Sequence, residues 1–196
     1  MPHAPIPSLR VSAYTATSSV GVGRAALLDA LRTRRTGLTR NDFGPEPLPT
    51  WIGRVAGLED AALPEEFAPW ECRNNRLAWL ALNADGFHEA ALAARDRYGA
   101  ARVALVLGTS TSSIGASEEA YRRLEPAGTY PPDLRRPIVH TPHSLGDFVQ
   151  AALGLTGPSM TVATACSSSA KAFAQAERLI RTGLADAAIV GGVDTL

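Results

Sequence analysis

The chain has 196 residues, 45% hydrophobic and 19% charged, with 19 Lys plus Arg balancing 19 Asp plus Glu for a formal net charge of zero. That balance leaves no electrostatic footprint for nucleic acid or another polyanion, and the length is enough to bury a core without disulfides or metals. No apolar run approaches the ~20 residues that span a bilayer, and the start MPHAPIPSLRVSAYTA lacks the basic and apolar segments of a signal peptide. The expectation is a soluble cytoplasmic protein with no membrane or nucleic-acid partner. Two cysteines, Cys72 and Cys166, do not make a disulfide framework in a chain of this size.

Residues 8–14 read as a first strand, followed by the small-residue loop TATSSVGVG. Leu27, Leu28 and Leu31 stand at helical spacing and predict a helix over residues 24–33. Around its end, Arg32, Arg34, Arg35 and Arg40 make a basic patch on which an acidic partner can dock, although a solvated helix end and turn explains them equally well. Residues 35–69 are rich in proline and glycine, with Trp51, Ile52 and Val55 as their strand-like patch, and read as loop with a short strand. Residues 75–98 read as one long helix, because Leu77, Leu80, Ala84, Phe87 and Ala91 keep a 3.6-residue period.

After Gly99, residues 103–107 (VALVL) form an apolar run of the length of a buried strand, ending in Gly108 and the Ser/Thr-rich GTSTSSIGAS. Residues 125–142 contain five prolines and read as irregular. Residues 145–155 are helical in pattern, Gly157-Pro158 is a break, and residues 159–164 (SMTVAT) read as a strand. A helix over residues 170–182 stops at Gly183, and residues 187–190 are a last buried strand closed by Gly191-Gly192. Strands alternating with helices predict an α/β layered fold, with residues 1–196 as one domain or half-domain.

Cys166 falls between a predicted strand and the first turn of an alanine-rich helix. Unpaired backbone N–H groups there, with the helix dipole, stabilise a thiolate and can bind a developing oxyanion. Ala163, Ala165, Ser167, Ser168 and Ser169 are small enough to let a bulky substrate reach the sulfur. Position and composition alone leave two readings open: a nucleophile at a sharp turn, or a small residue packing a helix onto a sheet.

TACSSSA (residues 164–170), followed by a helix and DAAIVGGVD (residues 186–194), resembles the active-site segment of the β-ketoacyl-(acyl carrier protein) synthase family. Gly157-Pro158 ahead of the strand and the helix leading into VALVLGTSTS fit the same family. The resemblance is strongest over residues 102–196 and weak through residues 35–69. It implies a thiolase-like fold of layers (αβαβα), built from two similar halves and usually paired as a homodimer or heterodimer, with this chain covering the amino-terminal half. It further implies that Cys166 takes an acyl group from a carrier-protein phosphopantetheine arm. Malonyl-carrier protein then loses carbon dioxide, and its carbanion attacks the thioester. By the same analogy the backbone N–H of Cys166 contributes to an oxyanion hole, and no metal or redox cofactor is implied.

Members of that family are about twice this length, and their second half carries two histidines and a lysine for malonyl decarboxylation. His3, His88, His140 and His143 all precede Cys166 and match none of those motifs, so no decarboxylation histidine is assigned. Gly21-Val22-Gly23 with Ala26 approximates a dinucleotide fingerprint, but loop glycines are the ordinary reading. His140 and His143 have a spacing that can suggest a metal, yet Pro142 lies between them and no third ligand is close by. Lys171 is off the helical face of Cys166, and Trp51, Trp70 and Trp79 read as core or interface aromatics.

Three alternatives share the fold. A coenzyme A-dependent thiolase-like enzyme keeps the cysteine, but the serine-rich segment favours the carrier-protein branch. A chain-length-factor-like partner subunit shapes the acyl pocket of a synthase without catalysing, and such subunits typically replace the cysteine. A truncated fragment that only dimerises is the third. Within the synthases, SSSAKA and GGVDTL resemble stand-alone enzymes of fatty-acid or polyketide pathways, including aryl-polyene-type ones.

Overall fold

The computed structural model describes residues 8–195; His3, the rest of the first seven residues and Leu196 lie outside the described residues. Strand β1 (Thr17–Ser18) turns through Ser19 and Val20 into an antiparallel partner, β2 (Gly21–Val22), which runs directly into helix α1 (Gly23–Thr33). A second hairpin joins β3 (Leu38–Arg40) to β4 (Trp51–Gly53). The two hairpins meet closely: a Cβ on Gly37 or Gly53 would fall 2.5 or 2.8 Å from Ser19.

Residues 8–14 were expected to be a strand, but they pair with no strand among the described residues. Leu9 and Val11 stand 46% and 68% exposed. A β-like sequence becomes a strand only when a neighbour supplies ladder hydrogen bonds, and none does here. The expected long helix over residues 75–98 is two helices, α2 (Arg73–Leu82) and α3 (Phe87–Tyr98). The break falls where Asp85 (φ 59°) and Gly86 (φ 71°) take left-handed conformations that no α-helix continues through.

The core is built on a three-stranded parallel sheet in the order β6–β5–β7, formed by β5 (Val103–Gly108), β6 (Ser159–Val162) and β7 (Ala187–Gly192). Every residue of β5 is buried, as a central strand covered on both faces requires. Val103, Leu105 and Leu107 point into one cluster with Leu145, Phe148, Val149 and Leu153 of α5 (Ser144–Leu153). Ala104 and Val106 point the other way, against Ala172, Ala176 and Leu179 of α6 (Ser168–Arg181). The result is a layer of helices, a sheet and a second helical layer. A further helix, α4 (Ile114–Arg122), rises from the Ser/Thr-rich segment after β5, where no helix was expected.

Phe148 is fully buried and meets the Phe67 ring edge-on at 5.6 Å between centroids, with Trp79 at 6.3 Å. Trp70 also packs on this cluster, as expected of a core aromatic, whereas Trp51 is 56% exposed. Phe148→Ala is expected to cost about 3–5 kcal/mol, because it removes a large apolar surface and leaves a cavity. Urea denaturation followed by circular dichroism measures this, and a loss below about 1 kcal/mol would place the core elsewhere.

At the opposite end of the strands from the cysteine turn, Asp186 binds Arg102 through two bonds of 2.9 and 2.8 Å. The Arg102 guanidinium beside it holds the Asp186 carboxyl below its ordinary value. A depressed carboxylate stabilises the fold above the unfolded-state pKa, and that contribution is lost as pH falls through the folded-state value. Asp186→Asn is therefore expected to narrow the stability difference between neutral and acid pH, read as thermal midpoints across the acid range. No helix among the described residues is long and apolar enough to cross a membrane.

Candidate active site

The loops after β5, β6 and β7 leave the sheet at one end, the carboxyl end of its parallel strands, where open α/β sheets bind ligands. Cys166 lies in the loop between β6 and α6 and is exposed. Ala165, immediately before it, has φ 54°, a left-handed conformation that costs a residue with a Cβ about 1–2 kcal/mol. The chain thus turns sharply just before the cysteine. The first turn of α6 has no side-chain cap, so its leading N–H groups are not consumed by one.

Ser168, only 2% exposed, holds this turn from beneath. Its hydroxyl accepts the Thr164 N–H at 2.9 Å and donates to the Ala165 carbonyl at 2.6 Å, with the Thr109 carbonyl at 3.3 Å. Ser167 donates to the Thr164 carbonyl at 2.9 Å. Glycines let α6 approach the sheet this closely: a Cβ on Gly108 would lie 2.5 Å from the Ser169 nitrogen, and one on Gly192 would collide with the Ser169 side chain.

Asp194, just past β7, reaches across to the loop after β5. Its Oδ1 accepts the Ser110 N–H at 2.6 Å, the Thr111 N–H at 3.1 Å and the Thr109 hydroxyl at 3.0 Å. Burial opposes its charge, but these donors outweigh burial and hold the carboxyl below the ordinary aspartate value. Sequence reasoning placed Asp194 in a family motif without giving it a role. Its partners are 83 to 85 residues away, and only the parallel pairing of β5 with β7 brings them together.

The other residues singled out from sequence do not gather around Cys166. Cys72 is buried ahead of α2, and burial pushes its thiol up despite hydrogen bonds from the Asn75 and Asn74 N–H groups. Of the two thiols, Cys166 is the exposed one. His140 has both ring nitrogens engaged: Nε2 donates to the Leu134 carbonyl at 2.8 Å, and Nδ1 takes the Ser117 hydroxyl at 3.0 Å. His143 and Lys171 line an open groove of 640 Å³ along β6 and α6 with Gln175 and Arg178. Among the described residues no cluster of three or more His, Cys, Asp or Glu is placed to hold a metal ion. Gly23 lets the start of α1 lie against Asp85, whose carboxylate accepts the Arg24 N–H at 2.9 Å, while a Cβ on Gly21 would fall 2.6 Å from the Ala26 Cβ. The chain's own acid therefore sits where a nucleotide phosphate would bind. Arg32, Arg34, Arg35 and Arg40 are exposed around the end of α1 and on β3; Arg35 bonds the Val20 carbonyl and Arg40 covers the Trp51 ring.

Residues 66–196 match the model of the beta-ketoacyl synthase N-terminal domain. The chain is 30% identical over 186 residues to a polyketide beta-ketoacyl synthase of Streptomyces virginiae, covering 89% of this chain and 43% of that protein. It is 30% identical over 144 residues to Nodulation protein E of Rhizobium meliloti, covering 71% of this chain and 36% of that one. Among solved structures, a chain from the ketosynthase–chain length factor complex of Xenorhabdus doucetiae superposes with a TM-score of 0.77 at 27% identity, over 95% of this chain and 47% of its own length. The chain thus spans less than half the length of these relatives. Family model, relatives and superposition agree with the cysteine turn on a parallel sheet: the chain belongs to the β-ketoacyl synthase family and forms the amino-terminal half of its thiolase-like layered fold.

Proposed function

We propose that Cys166 accepts the growing acyl chain in a decarboxylative condensation of fatty-acid or polyketide type. The observation that carries this reading is an exposed thiol at the carboxyl end of a parallel sheet, ahead of an uncapped helix N-terminus. The Sγ attacks the carbonyl carbon of an acyl thioester on an acyl carrier protein. A new C–S bond forms, the donor's C–S bond breaks, and the phosphopantetheine thiol leaves with the cysteine proton. The N–H of Cys166 contributes to stabilising the developing oxyanion. A malonyl thioester then loses carbon dioxide, its carbanion attacks the acyl-Cys166 carbonyl, and a β-ketoacyl chain longer by two carbons leaves as the thiolate is regenerated.

On this reading the groups for the decarboxylation lie outside residues 1–196, which act as the amino-terminal unit. The chemistry needs no metal or redox cofactor. The place of work is the cytoplasm, and the assembly is a homodimer or a heterodimer with a second condensing-enzyme subunit. The relative from Xenorhabdus doucetiae, solved as a ketosynthase with its chain length factor, supports a two-chain arrangement. The intact Cys166 favours the catalytic role over that of a partner subunit. Incubation with an acyl-carrier protein or a cerulenin-like covalent probe, followed by mass spectrometry, is expected to place the label on Cys166 and to lose it in Cys166→Ala. Label elsewhere, or none on folded protein, would overturn the assignment.

A further inference from the structure

We propose that Asp194 is a positioning residue for Cys166: it fixes the loop after β5, and that loop fixes, through Ser168, the turn that presents the thiol. The inference rests on the reading of Cys166 as the acyl acceptor. Residues 109–113 are all Ser or Thr, so no apolar anchor holds the loop over the end of the sheet. One carboxylate oxygen gathers residues 109–111 instead, taking two N–H groups and the Thr109 hydroxyl, with the Thr111 hydroxyl at 3.2 Å, while Ser112 and Ser113 donate to the Thr141 and Val139 carbonyls. A carboxylate suits this convergence because it only accepts, and its charge makes each bond roughly twice as strong as a neutral one.

Thr109 is then held from three sides. Its N–H bonds the Val162 carbonyl at 3.0 Å, its hydroxyl oxygen takes the Ser112 N–H at 2.8 Å, and the same hydroxyl donates to Asp194. Its carbonyl faces the Ser168 hydroxyl, which bonds both Thr164 and Ala165. Those are the two residues that lead into Cys166. Ala165 carries the left-handed strain and holds that conformation only while its surroundings enforce it. The chain of contacts runs from Asp194 to Thr109, from Thr109 to Ser168, and from Ser168 to the strained residue beside the thiol.

The test measures the rate at which Cys166 is acylated by an acyl-N-acetylcysteamine thioester, a phosphopantetheine mimic, well below each variant's thermal midpoint. Asp194→Ala is expected to slow acylation about tenfold or more, since small displacements of a reacting group cost that much or more. Asp194→Asn keeps one acceptor oxygen and is expected to restore the rate to within about threefold of the parent. Asp186→Ala weakens the same sheet at its other end and is expected to leave the rate within about twofold, a readout that a purely structural role of Asp194 would not separate. Should Asp194→Ala fail to fold, Ser168→Ala cuts the middle of the relay and is expected to show the same loss. Acylation of either variant at the parent rate overturns the proposal, as does a loss shared equally by Asp186→Ala. An unlabelled parent would instead overturn the acyl-acceptor reading itself, and the positioning role with it.

Discussion

Cys166→Ser is expected to lower acyl transfer to the protein by at least about a thousandfold while leaving its folding stability within about 0.5 kcal/mol. The two effects separate because the side chain is exposed and supports no core. Serine nearly preserves its shape, and the hydrogen bonds that shape the turn come from Ser167, Ser168 and backbone groups. Chemistry is another matter. A serine hydroxyl needs a base to become a nucleophile, and the side chains bonded into this turn are hydroxyls. Cys72 remains as a thiol in the variant, but it is buried and held in the protonated form, so it offers no substitute. Intact-mass measurement of acyl uptake, paired with a thermal melt, reads both quantities. Uptake by Cys166→Ser at the parent rate would move the acyl group to another residue and remove Cys166 from the mechanism.

Much of this site is legible before any coordinates, for a physical reason. A parallel strand buried on both faces shows as an uninterrupted apolar run, as VALVL does for the central β5, and SMTV and AAIV stand at the edge strands β6 and β7 beside it. The cysteine at the following turn is legible from the same run, because the strand's end fixes where the turn must fall. Elements whose limits depend on distant contacts were not legible. The break between α2 and α3 keeps its apolar period through Ala84, Phe87 and Ala91, yet Asp85 leaves the helix there. Its carboxylate accepts the Thr15 hydroxyl at 2.9 Å and the Arg24 N–H, partners 70 and 61 residues away. The buried stripe of α2 also differs from the expected one: Asn74, Asn75, Ala78 and Leu82 face inward, and Asn75 reaches Ser144 of α5 at 3.1 Å. A period based on Leu77 and Leu80 misses a face that includes polar groups. For α4 a weak signal was present in the acid–base spacings of Glu118 with Arg122 and Glu119 with Arg123, one helical turn apart. Residues 8–14 show the converse case: their alternating sequence is compatible with a strand, but no partner among the described residues bonds them into one.

Gly108→Ala is expected to cost about 1–3 kcal/mol and to slow Cys166 acylation about tenfold, although it adds a single methyl group. Gly108 does not have a positive φ, so backbone freedom is not why glycine is needed there. Space is the reason. The added carbon would lie 2.5 Å from the Ser169 nitrogen, 2.6 Å from the Ser168 carbonyl carbon and 2.8 Å from the Ser169 Cα. These are backbone atoms of the first turn of α6, which cannot rotate away as a side-chain tip can. The start of the helix must lift from the sheet, and Cys166, two residues before Ser168, must move with it. Gly191 is the control, because it pairs with Leu107 on the neighbouring strand and a Cβ there meets only the Leu107 Cδ2 at 3.8 Å. Gly191→Ala is expected to stay within about 0.5 kcal/mol of the parent and to acylate normally. If the two variants behaved alike in denaturation and in acyl uptake, close approach of helix and sheet would not be what sets the position of the thiol. If they part as expected, the glycine at the end of β5 serves the site through steric room alone, by allowing the helix that follows Cys166 to rest directly on the strand.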